Sequence, residues 1–512
     1  MGLVRSTALV ALLAAPLAAT LTAACGGAKS SRFYTASPQA AYGPSYTTTM
    51  AEDGDGSGDT HVHHGINPWV ETAKDNLSTF AADVDTASYT VSRRHLNEGT
   101  LPPAAAVRVE EYVNYFRYAF PPAAPSSPFS VVMDAAPSLF EPGLHVLRVG
   151  VATPVRAERK QANLVFLVDV SGSMQGPDRL ELAKQSLQLL VENLRPDDTV
   201  ALVTYAGSTR VVLPATPVAQ RDRIQRALGE LSSGGSTAMG AGLDLAYAEA
   251  MKGLRPGAVS RVIVLSDGDA NVGTRDPKGI QGIIAERVQA GITVSTVGFG
   301  MGNYRGSLME QLADTGNGNA FYVDSLEAAR RIFSAQLAAT LEVAAKDVKL
   351  QVEFDPVMVS RYRLVGYENR TVADADFRKD QVDAGEIGMG HQVTAMYVVE
   401  LTEQGKSAPA PLGLVRIRHK APEGQVAAES TFAMAAAPAP SFDAAAPDLR
   451  FASAVAAVAD VLRGAEDAQR WSLGTIAQTA RAAAGQDPDR LELVALIEKA
   501  AQLRGTPLTV AR

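Results

Sequence analysis

Five oxygen-bearing side chains in this 512-residue chain are spaced as the ligands of a divalent cation would be. Asp169, Ser171 and Ser173 occupy alternate positions of VDVSGSM, a tight loop that contains glycine. Thr237 lies in GGSTAMGAGL, and Asp267 lies in LSDGDANVG. Hard divalent cations prefer oxygen ligands, and Mg²⁺ keeps some of its waters. Because hydroxyls are neutral, such a site would stay electrophilic and could take an acidic group of a partner as its last ligand.

The elements around these loops predict an open parallel sheet. Residues 164–170 (LVFLVDV) are a continuous apolar run, as expected of a central buried strand. Further strands are predicted at 199–205, 261–266 and 293–298, and they alternate with helices. In such sheets ligands bind outside the carboxyl ends of the strands. Asp169 and Asp267 both lie at strand ends of this kind, so we expect the loops to converge.

This pattern resembles the von Willebrand factor type A domain, which would occupy residues 159–342. The resemblance implies a metal-ion-dependent adhesion site that holds Mg²⁺, Mn²⁺ or Ca²⁺ and binds an acidic group of a protein partner. Its metal-site residues would be Asp169, Ser171, Ser173, Thr237 and Asp267. In the family the hydroxyls often bind the metal directly, and the aspartates often act through water. Asp269 matches no motif position, and a loop cap is its expected role.

Two other functions stay open at this point. A bound Mg²⁺ could activate water or hold a phosphate, as in a metal-dependent hydrolase. It could also only stiffen the loops of an envelope scaffold. Enzyme motifs such as GxSxG, HExxH and GxxxxGK[ST] are absent from the sequence. We therefore expect a binding protein that is not an enzyme and that uses no small-molecule cofactor.

The N-terminus predicts export and a membrane anchor. Arg5 precedes an apolar stretch over residues 7–21, so residues 1–24 are predicted as a signal peptide. Cys25, the single cysteine, is followed by two glycines and resembles the lipidated residue of a bacterial lipoprotein. Thr22 departs from that pattern, which usually has leucine there. The resemblance implies a lipid anchor in the bacterial cell envelope, with the protein facing the periplasm or the exterior.

Composition and patterning set the remaining expectations. The formal charge is −8 without a basic cluster, so a nucleic-acid partner is not expected. The fold class predicted is α/β, with the doubly wound sheet inserted in an antiparallel β-sandwich, because two isolated strands cannot bury a core. The predicted segments are a lipidated cysteine and flexible tether (25–68), an N-terminal helical segment (69–125), strands that join the sandwich (126–158), the type A domain (159–342), the sandwich (343–435), a linker (436–450) and C-terminal helices (451–512).

Some polar residues outside the five carry weaker predictions. His61, His63 and His64 could bind a metal. The expected interpretation is that they are chance histidines in a solvated linker. Asp83 and Asp85 could form a second cation site or cap the helix that follows. The remaining prediction concerns two glutamates, Glu110 and Glu111, which are expected on a solvated helix face.

The segments on both sides of the type A domain are similar to the flanking regions of one bacterial subfamily. The similar stretches are residues 83–118, 362–370 and 382–401. Some members of the subfamily are labelled calcium-activated chloride channel homologues. The resemblance covers about residues 75–510, but the flanking motifs imply no chemistry. Two linkers, near residues 155–162 and 342–346, would join the type A domain to the sandwich. In related domains ligand binding is coupled to movement of the last helix, here predicted at 326–341, which leads into the second of these linkers.

Overall fold

The computed structural model describes residues 52–54, 60–123, 127–155, 159–235, 239–268, 277–300, 306–382 and 384–505. The predicted signal peptide, Cys25, Thr237 and Asp269 lie outside these residues. The described elements belong to one compact unit, Thr48–Arg512. Among them, no helix has both the length and the apolar composition needed to cross a membrane.

The segment before the parallel sheet contributes strands as well as helices. Its elements are β1 (Glu52–Gly54), β2 (Thr60–Val62), β3 (Val70–Glu71), β4 (Leu77–Ala81), α1 (Ala87–Asn97), α2 (Val109–Tyr115), β5 (Ser130–Pro137) and β6 (His145–Ala152). Residues 60–68 were predicted within the flexible tether, yet β2 pairs with β1, and the Asn67 side chain donates to the carbonyls of Leu364 and Gly366 at 3.1 and 2.7 Å. These residues therefore belong to the folded body.

The doubly wound sheet is present as predicted. Its elements are β7 (Ala162–Asp169), α3 (Leu180–Asn193), β8 (Thr199–Tyr205), β9 (Thr209–Pro217), α4 (Arg221–Gly229), α5 (Met239–Lys252), β10 (Val259–Ser266), α6 (Pro277–Gln289), β11 (Ile292–Gly298), α7 (Gly306–Thr315), β12 (Ala320–Tyr322), α8 (Leu326–Arg330) and α9 (Leu337–Leu341). The strand order is β12-β11-β10-β7-β8-β9, and only the β8–β9 pair is antiparallel. Every residue of β7 is buried because helices cover both faces.

The helix predicted at 326–341 is interrupted. A π-helical turn, Arg331–Ala335, separates α8 from α9, and the Gln336 amide donates to the Arg331 carbonyl, five residues back. The Arg331 guanidinium lies over the ring of Tyr115 at 3.9 Å and bonds to Asp489. The last helix of the type A domain is therefore tied to α2 and to the C-terminal region.

Strands before and after the type A domain share two antiparallel sheets. The later elements are β13 (Val343–Phe354), β14 (Val359–Val365), β15 (Gly385–Gly388), β16 (Gln392–Leu401), α10 (Glu403–Ser407), β17 (Gly413–Lys420) and β18 (Ala427–Ala433). One sheet has the order β15-β13-β17-β18 with β4 also on β13, and the other has the order β3-β14-β16-β6-β5. Phe80, Val149, Val352 and Tyr397 meet in the core between them. The type A domain is thus an insertion in a sandwich, as predicted.

The C-terminal helices complete a core of their own. They are α11 (Pro447–Leu462), α12 (Leu473–Ala484) and α13 (Pro488–Leu503). The small residues of α11 are buried on all sides, which lets the helix pack closely against α2 and the outer face of β6 and β16. Because α11 begins at Pro447, the linker predicted at 436–450 overlaps the first turn of this helix. The N- and C-terminal helices therefore form one layer over the sandwich.

Candidate metal centre

Asp169 is the buried anchor of the site. It ends β7 and is fully inaccessible to solvent. Its Oδ1 accepts a hydrogen bond from the Ser171 amide at 2.9 Å, and its Oδ2 accepts one from Ser266 Oγ at 3.0 Å. Ser266 Oγ also accepts from the Gly268 amide at 3.0 Å. The carboxylate is therefore fixed by the loop after β7 and by the end of β10 together.

The two serines of the first loop present their hydroxyls side by side. A 3-10 turn over Gly172–Met174 follows Ser171 and brings Ser173 back toward it. The two Oγ atoms lie 2.9 Å apart. Since adjacent ligands of one cation stand about this far apart, the turn places both hydroxyls where a single ion could contact them.

The second predicted loop is held directly against the first. The Gly172 amide donates to the Gly235 carbonyl at 3.0 Å, and the Gly234 amide donates to the Val170 carbonyl at 2.7 Å. Gly235 has φ +93°, and a Cβ there would lie 3.1 Å from the Gly207 amide nitrogen. Glycine is therefore required at this contact. Thr237, two positions later in the sequence, lies outside the described residues.

Asp267 follows β10 and is buried beside Arg179. Arg179 precedes α3, and its Nη1 lies 3.9 Å from Asp267 Oδ2. The same nitrogen donates to the Ser173 carbonyl. Gly300, with φ +72°, packs against this guanidinium, because a Cβ there would lie 2.5 Å from Arg179 Nε. Arg179 thus connects the first loop with Asp267.

The two aspartates of the site lie close enough for their charges to affect each other. Burial raises the pKa of Asp169, and the nearby Asp267 charge raises it further, while hydrogen bonds from Ser171 and Ser266 oppose the shift. Asp169 and Asp267 are therefore two neighbouring buried carboxylates. The cation beside them, Arg179, has a side chain that is partly exposed to solvent. Across the described ranges, no three His, Cys, Asp or Glu side chains converge as a metal site. The predicted donor set consists of carboxylate and hydroxyl oxygens, which are the ligand types that a hard cation takes.

Comparison with known proteins agrees with this architecture. A von Willebrand factor type A domain model matches residues 163–335, a von Willebrand factor model matches residues 56–148, and a model of the C-terminal part of YfbK matches residues 339–503. Over 463 residues the chain is 40% identical to the uncharacterized protein YfbK of Escherichia coli K12, covering 85% of this chain and 80% of that protein.

The chain belongs to the YfbK family.

The solved structures that it resembles are more distant. A von Willebrand factor type A protein from Catenulispora acidiphila is 18% identical, with a TM-score of 0.41, over 71% of this chain and 89% of that one. Proximal thread matrix protein 1 from the mussel byssus, with a zinc-occupied MIDAS motif, is 21% identical with a TM-score of 0.29, over 35% of this chain and 45% of that one. The type A domain predicted from the sequence is confirmed by the domain match.

Within this YfbK-family chain, the structure brings four of the five predicted residues to one end of the sheet. They are Asp169, Ser171, Ser173 and Asp267. The sequence reasoning missed Arg179 and Ser266. Ser266 precedes Asp267 directly, so a hydroxyl at the end of the apolar run was a usable signal. Arg179 carried no such signal, because its contact with Asp267 joins residues 88 positions apart in the sequence.

The predicted roles of Asp83 and Asp85 were wrong. Asp83 Oδ2 lies 3.0 Å from Arg370 Nε, and Asp85 Oδ1 accepts from the Ala320 amide of β12 at 3.0 Å. The residue that precedes α1 is Thr86, and no side chain caps the helix. The two aspartates therefore join the N-terminal segment to the type A domain and the sandwich.

Glu110 and Glu111 are buried, although they were predicted on a solvated face. Arg108 contacts both, and its Nη1 lies 2.7 Å from Glu310 Oε2 of α7. Burial raises the pKa of Glu111 to about 8, with Arg108 opposing. We call the whole group the junction cluster, and its members are Asp83, Asp85, Arg108, Glu110, Glu111, Glu310, Asp314 and Arg370.

The predicted histidine tract lies beside the junction cluster. His61 and His64 line a small cavity together with Asp85 and Glu111. Burial lowers the pKa of His64, and the charge of Arg108 lowers it further. His63 Nδ1 accepts from the Gly65 amide at 3.1 Å. Arginines, rather than a cation site, neutralise the carboxylates here.

Proposed function

We propose that the chain is a binding protein whose type A domain recognises a partner through a divalent cation. The observation that carries the proposal is the set of two buried aspartates and two adjacent hydroxyls at the carboxyl end of the parallel sheet. Such strand ends are where ligands bind in open α/β folds. The matched type A domain is associated with metal-dependent adhesion and protein interaction in general.

The residues that would hold the cation are Ser171 and Ser173, with Thr237 as a third hydroxyl, while Asp169 and Asp267 would balance its charge through water. When bound, the ion would supply an electrophilic position for a carboxylate of the partner. Mg²⁺ is the proposed ion, with Mn²⁺ and Ca²⁺ as alternatives, because all three accept oxygen ligands. We propose an acidic protein group as ligand, since neutral hydroxyl donors leave most of the ion's charge uncompensated.

We propose no reaction for this site. The Asp169 carboxylate accepts from the Ser171 amide and from Ser266 Oγ, at 2.9 and 3.0 Å, and these bonds hold it in place at the end of β7. A general base would need a titratable group within hydrogen-bond reach of the reacting atom. Binding therefore accounts for the described geometry with fewer assumptions than hydrolysis.

We also propose that Cys25 carries a lipid anchor that keeps the protein at the bacterial cell envelope. The support is the sequence alone: an apolar stretch over residues 7–21 and a single cysteine followed by two glycines. Each buried methylene of a lipid chain contributes about 0.8 kcal/mol to membrane binding. Cys25→Ser should release the protein from the membrane fraction or stall its processing. An unchanged mature mass in the membrane fraction would contradict the anchor.

A chelator experiment tests the binding function. The full chain is incubated with envelope extract in Mg²⁺ or in EDTA, and bound proteins are compared, with circular dichroism run on the same samples. We expect a bound protein that is lost in EDTA while the fold persists, and that is lost with Asp169→Ala in Mg²⁺. Asp222→Ala, an exposed aspartate on α4, serves as the control for lost charge. Binding that is equal in Mg²⁺ and EDTA would refute the proposal.

A further inference from the structure

A second opening lies at the end of the type A domain opposite the candidate metal centre. A cavity of about 480 Å³ is bounded by the turns that precede β10, β11 and β12, by both linkers and by the turn between β17 and β18. Its charged lining residues are Lys160, Arg255, Arg261, Lys346, Glu342 and Glu423. Four cations therefore line the cavity with two carboxylates, at the amino ends of the parallel strands.

One of the two carboxylates pairs with a lysine ammonium group, and the other accepts from the backbone amide of the same lysine. Glu423 Oε1 lies 2.6 Å from Lys160 Nζ, and Glu342 Oε1 accepts a hydrogen bond from the Lys160 amide. Among the described residues, no carboxylate lies within 4.0 Å of the charged ends of the other three cations, Arg255, Arg261 and Lys346. The cavity therefore carries positive charge that the surrounding chain does not neutralise at contact distance.

Arg261 is the least satisfied of these cations. It is 2% exposed, and its Nη1 donates to the neutral hydroxyl of Ser295. In the described part of the chain its Nε has no hydrogen-bond partner. Burial lowers the pKa of Arg261 to about 10, against the more distant charge of Glu386. A guanidinium has five donors, and burying it without an anion is costly. The remaining donors suit an oxyanion.

The other walls of the cavity are apolar. Leu254, Val288, Leu341 and Val343 line it, and Leu254 is 39% exposed to solvent. Pockets for small molecules commonly have volumes of roughly 300–1,000 Å³ and lie at domain interfaces, with mostly apolar walls and a few polar groups. We propose that this cavity binds a small organic anion, whose carboxylate or phosphate head contacts Arg255, Arg261 and Lys346 and whose apolar body contacts the leucine and valine side chains.

An occupant would touch both linkers of the insertion. Lys160 lies on the entering linker, while Leu341, Glu342 and Val343 lie where α9 passes into β13. The turn at Pro422 and Glu423 belongs to the sandwich. A bound anion would therefore stabilise the type A domain against the sandwich, far from the cation-binding loops. This site is independent of the proposed metal-dependent function.

Calorimetric titration of the purified full chain tests the site with defined probes. The probes are octanoate and octyl phosphate, with 1-octanol as the neutral match and inorganic phosphate as the match without an apolar body. We expect saturable binding of at least one of the two anionic amphiphiles, at least tenfold tighter than 1-octanol and inorganic phosphate. Bound anion should also raise the melting temperature.

Two double variants separate this site from general charge effects. Arg255→Ala/Lys346→Ala removes two cations that are not buried and should weaken anion binding at least tenfold. Arg223→Ala/Arg226→Ala removes two exposed cations from α4, in the same domain, and should change affinity less than twofold. The proposal is overturned if neither amphiphile binds saturably, if 1-octanol or inorganic phosphate binds equally well, or if both double variants lose affinity alike.

Discussion

The candidate metal centre and the junction cluster are both groups of buried carboxylates, and they differ in what accompanies the negative charge. At the metal centre Asp169 and Asp267 are accompanied by hydroxyls and by Arg179 at 3.9 Å. In the junction cluster six carboxylates surround two arginines, and Arg370 alone lies 3.0 Å from carboxylate oxygens of Asp83, Glu310 and Asp314.

The difference indicates two uses of buried acids. Guanidinium groups have fixed donor geometry, and they connect carboxylates of separate segments into a rigid joint. Hydroxyls are neutral donors and leave room for an added ion. The junction cluster therefore connects the type A domain with its neighbours, whereas the candidate metal centre keeps its carboxylates beside neutral hydroxyls, as the proposed cation binding requires. Removing an arginine from the junction cluster should mainly lower the unfolding free energy. Removing a carboxylate from the candidate metal centre should mainly lower cation affinity.

The largest effect is expected at Arg370. Arg370→Ala leaves several buried carboxylates without their partner, which typically costs about 3–5 kcal/mol of unfolding free energy. Urea denaturation followed by circular dichroism measures the loss. Arg378→Ala is the matched control, because its pair with Glu429 is solvent-exposed, and a surface pair contributes about 0–1 kcal/mol. Equal urea midpoints for both variants would contradict a stabilising role for the junction cluster.

The next effect concerns the cation. Asp169→Ala should lower Mg²⁺ and Mn²⁺ affinity by about 100-fold, the upper range for losing a group that orients a metal's ligands. Isothermal titration calorimetry gives the affinities, and the urea midpoint should change less than for Arg370→Ala. Asp222→Ala, with the same charge change on the surface, should bind as the original chain does. If Asp169→Ala combined with Ser171→Ala bound Mg²⁺ unchanged, the site would lie elsewhere.

A smaller effect is expected from pH at the junction cluster. The pKa of Glu111 is about 8 in the folded protein against an ordinary value of 4.5. The folded state therefore holds this proton more tightly, so its stabilisation is complete below pH 4.5 and is lost as pH rises toward 8. Glu111→Gln stays neutral. Relative to the original chain, its unfolding free energy should increase as the pH rises from 5 to 8 and level off above that pH.

The control for Glu111 is a carboxylate that remains charged over the same range. Glu403→Gln removes an exposed glutamate whose pKa is lowered by Lys406. Its difference from the original chain should stay constant between pH 5 and pH 9. Parallel pH curves for Glu111→Gln and Glu403→Gln would show that Glu111 is ionised throughout.

The two regions also differ in how well the sequence predicts them. The metal centre is built from short loops at strand ends, and VDVSGSM places three ligand positions within five residues. The junction cluster draws on residues as far apart as Asp83 and Arg370, from three parts of the chain. Glu110 and Glu111 look like a solvated face because their helix is short and its partners are remote in sequence.

The same contrast applies to the fold. Apolar runs and alternating strands predict the parallel sheet and its insertion in the sandwich, since those patterns are local. The π turn at Arg331–Ala335 was not predictable, because it coincides with contacts to Tyr115 and Asp489. Likewise, the alternation of residues could not reveal that β4 pairs with β13, about 270 positions later.

The smallest effect tests whether the metal centre contains its own competing cation. Arg179 Nη1 lies 3.9 Å from Asp267 Oδ2, so its charge opposes an incoming metal ion, while its bond to the Ser173 carbonyl braces the loop. Arg179→Met removes the charge and keeps much of the length, whereas Arg179→Lys keeps the charge.

If charge dominates, Arg179→Met should bind Mg²⁺ about two- to fivefold more tightly than Arg179→Lys at low salt, in line with the modest energies of partly exposed charges. Added salt should narrow the gap, because it screens exposed charges. Calorimetry at two salt concentrations measures both effects. Weaker binding by Arg179→Met would instead make the guanidinium a brace for the loop, and the metal centre would then rely on an arginine much as the junction cluster does.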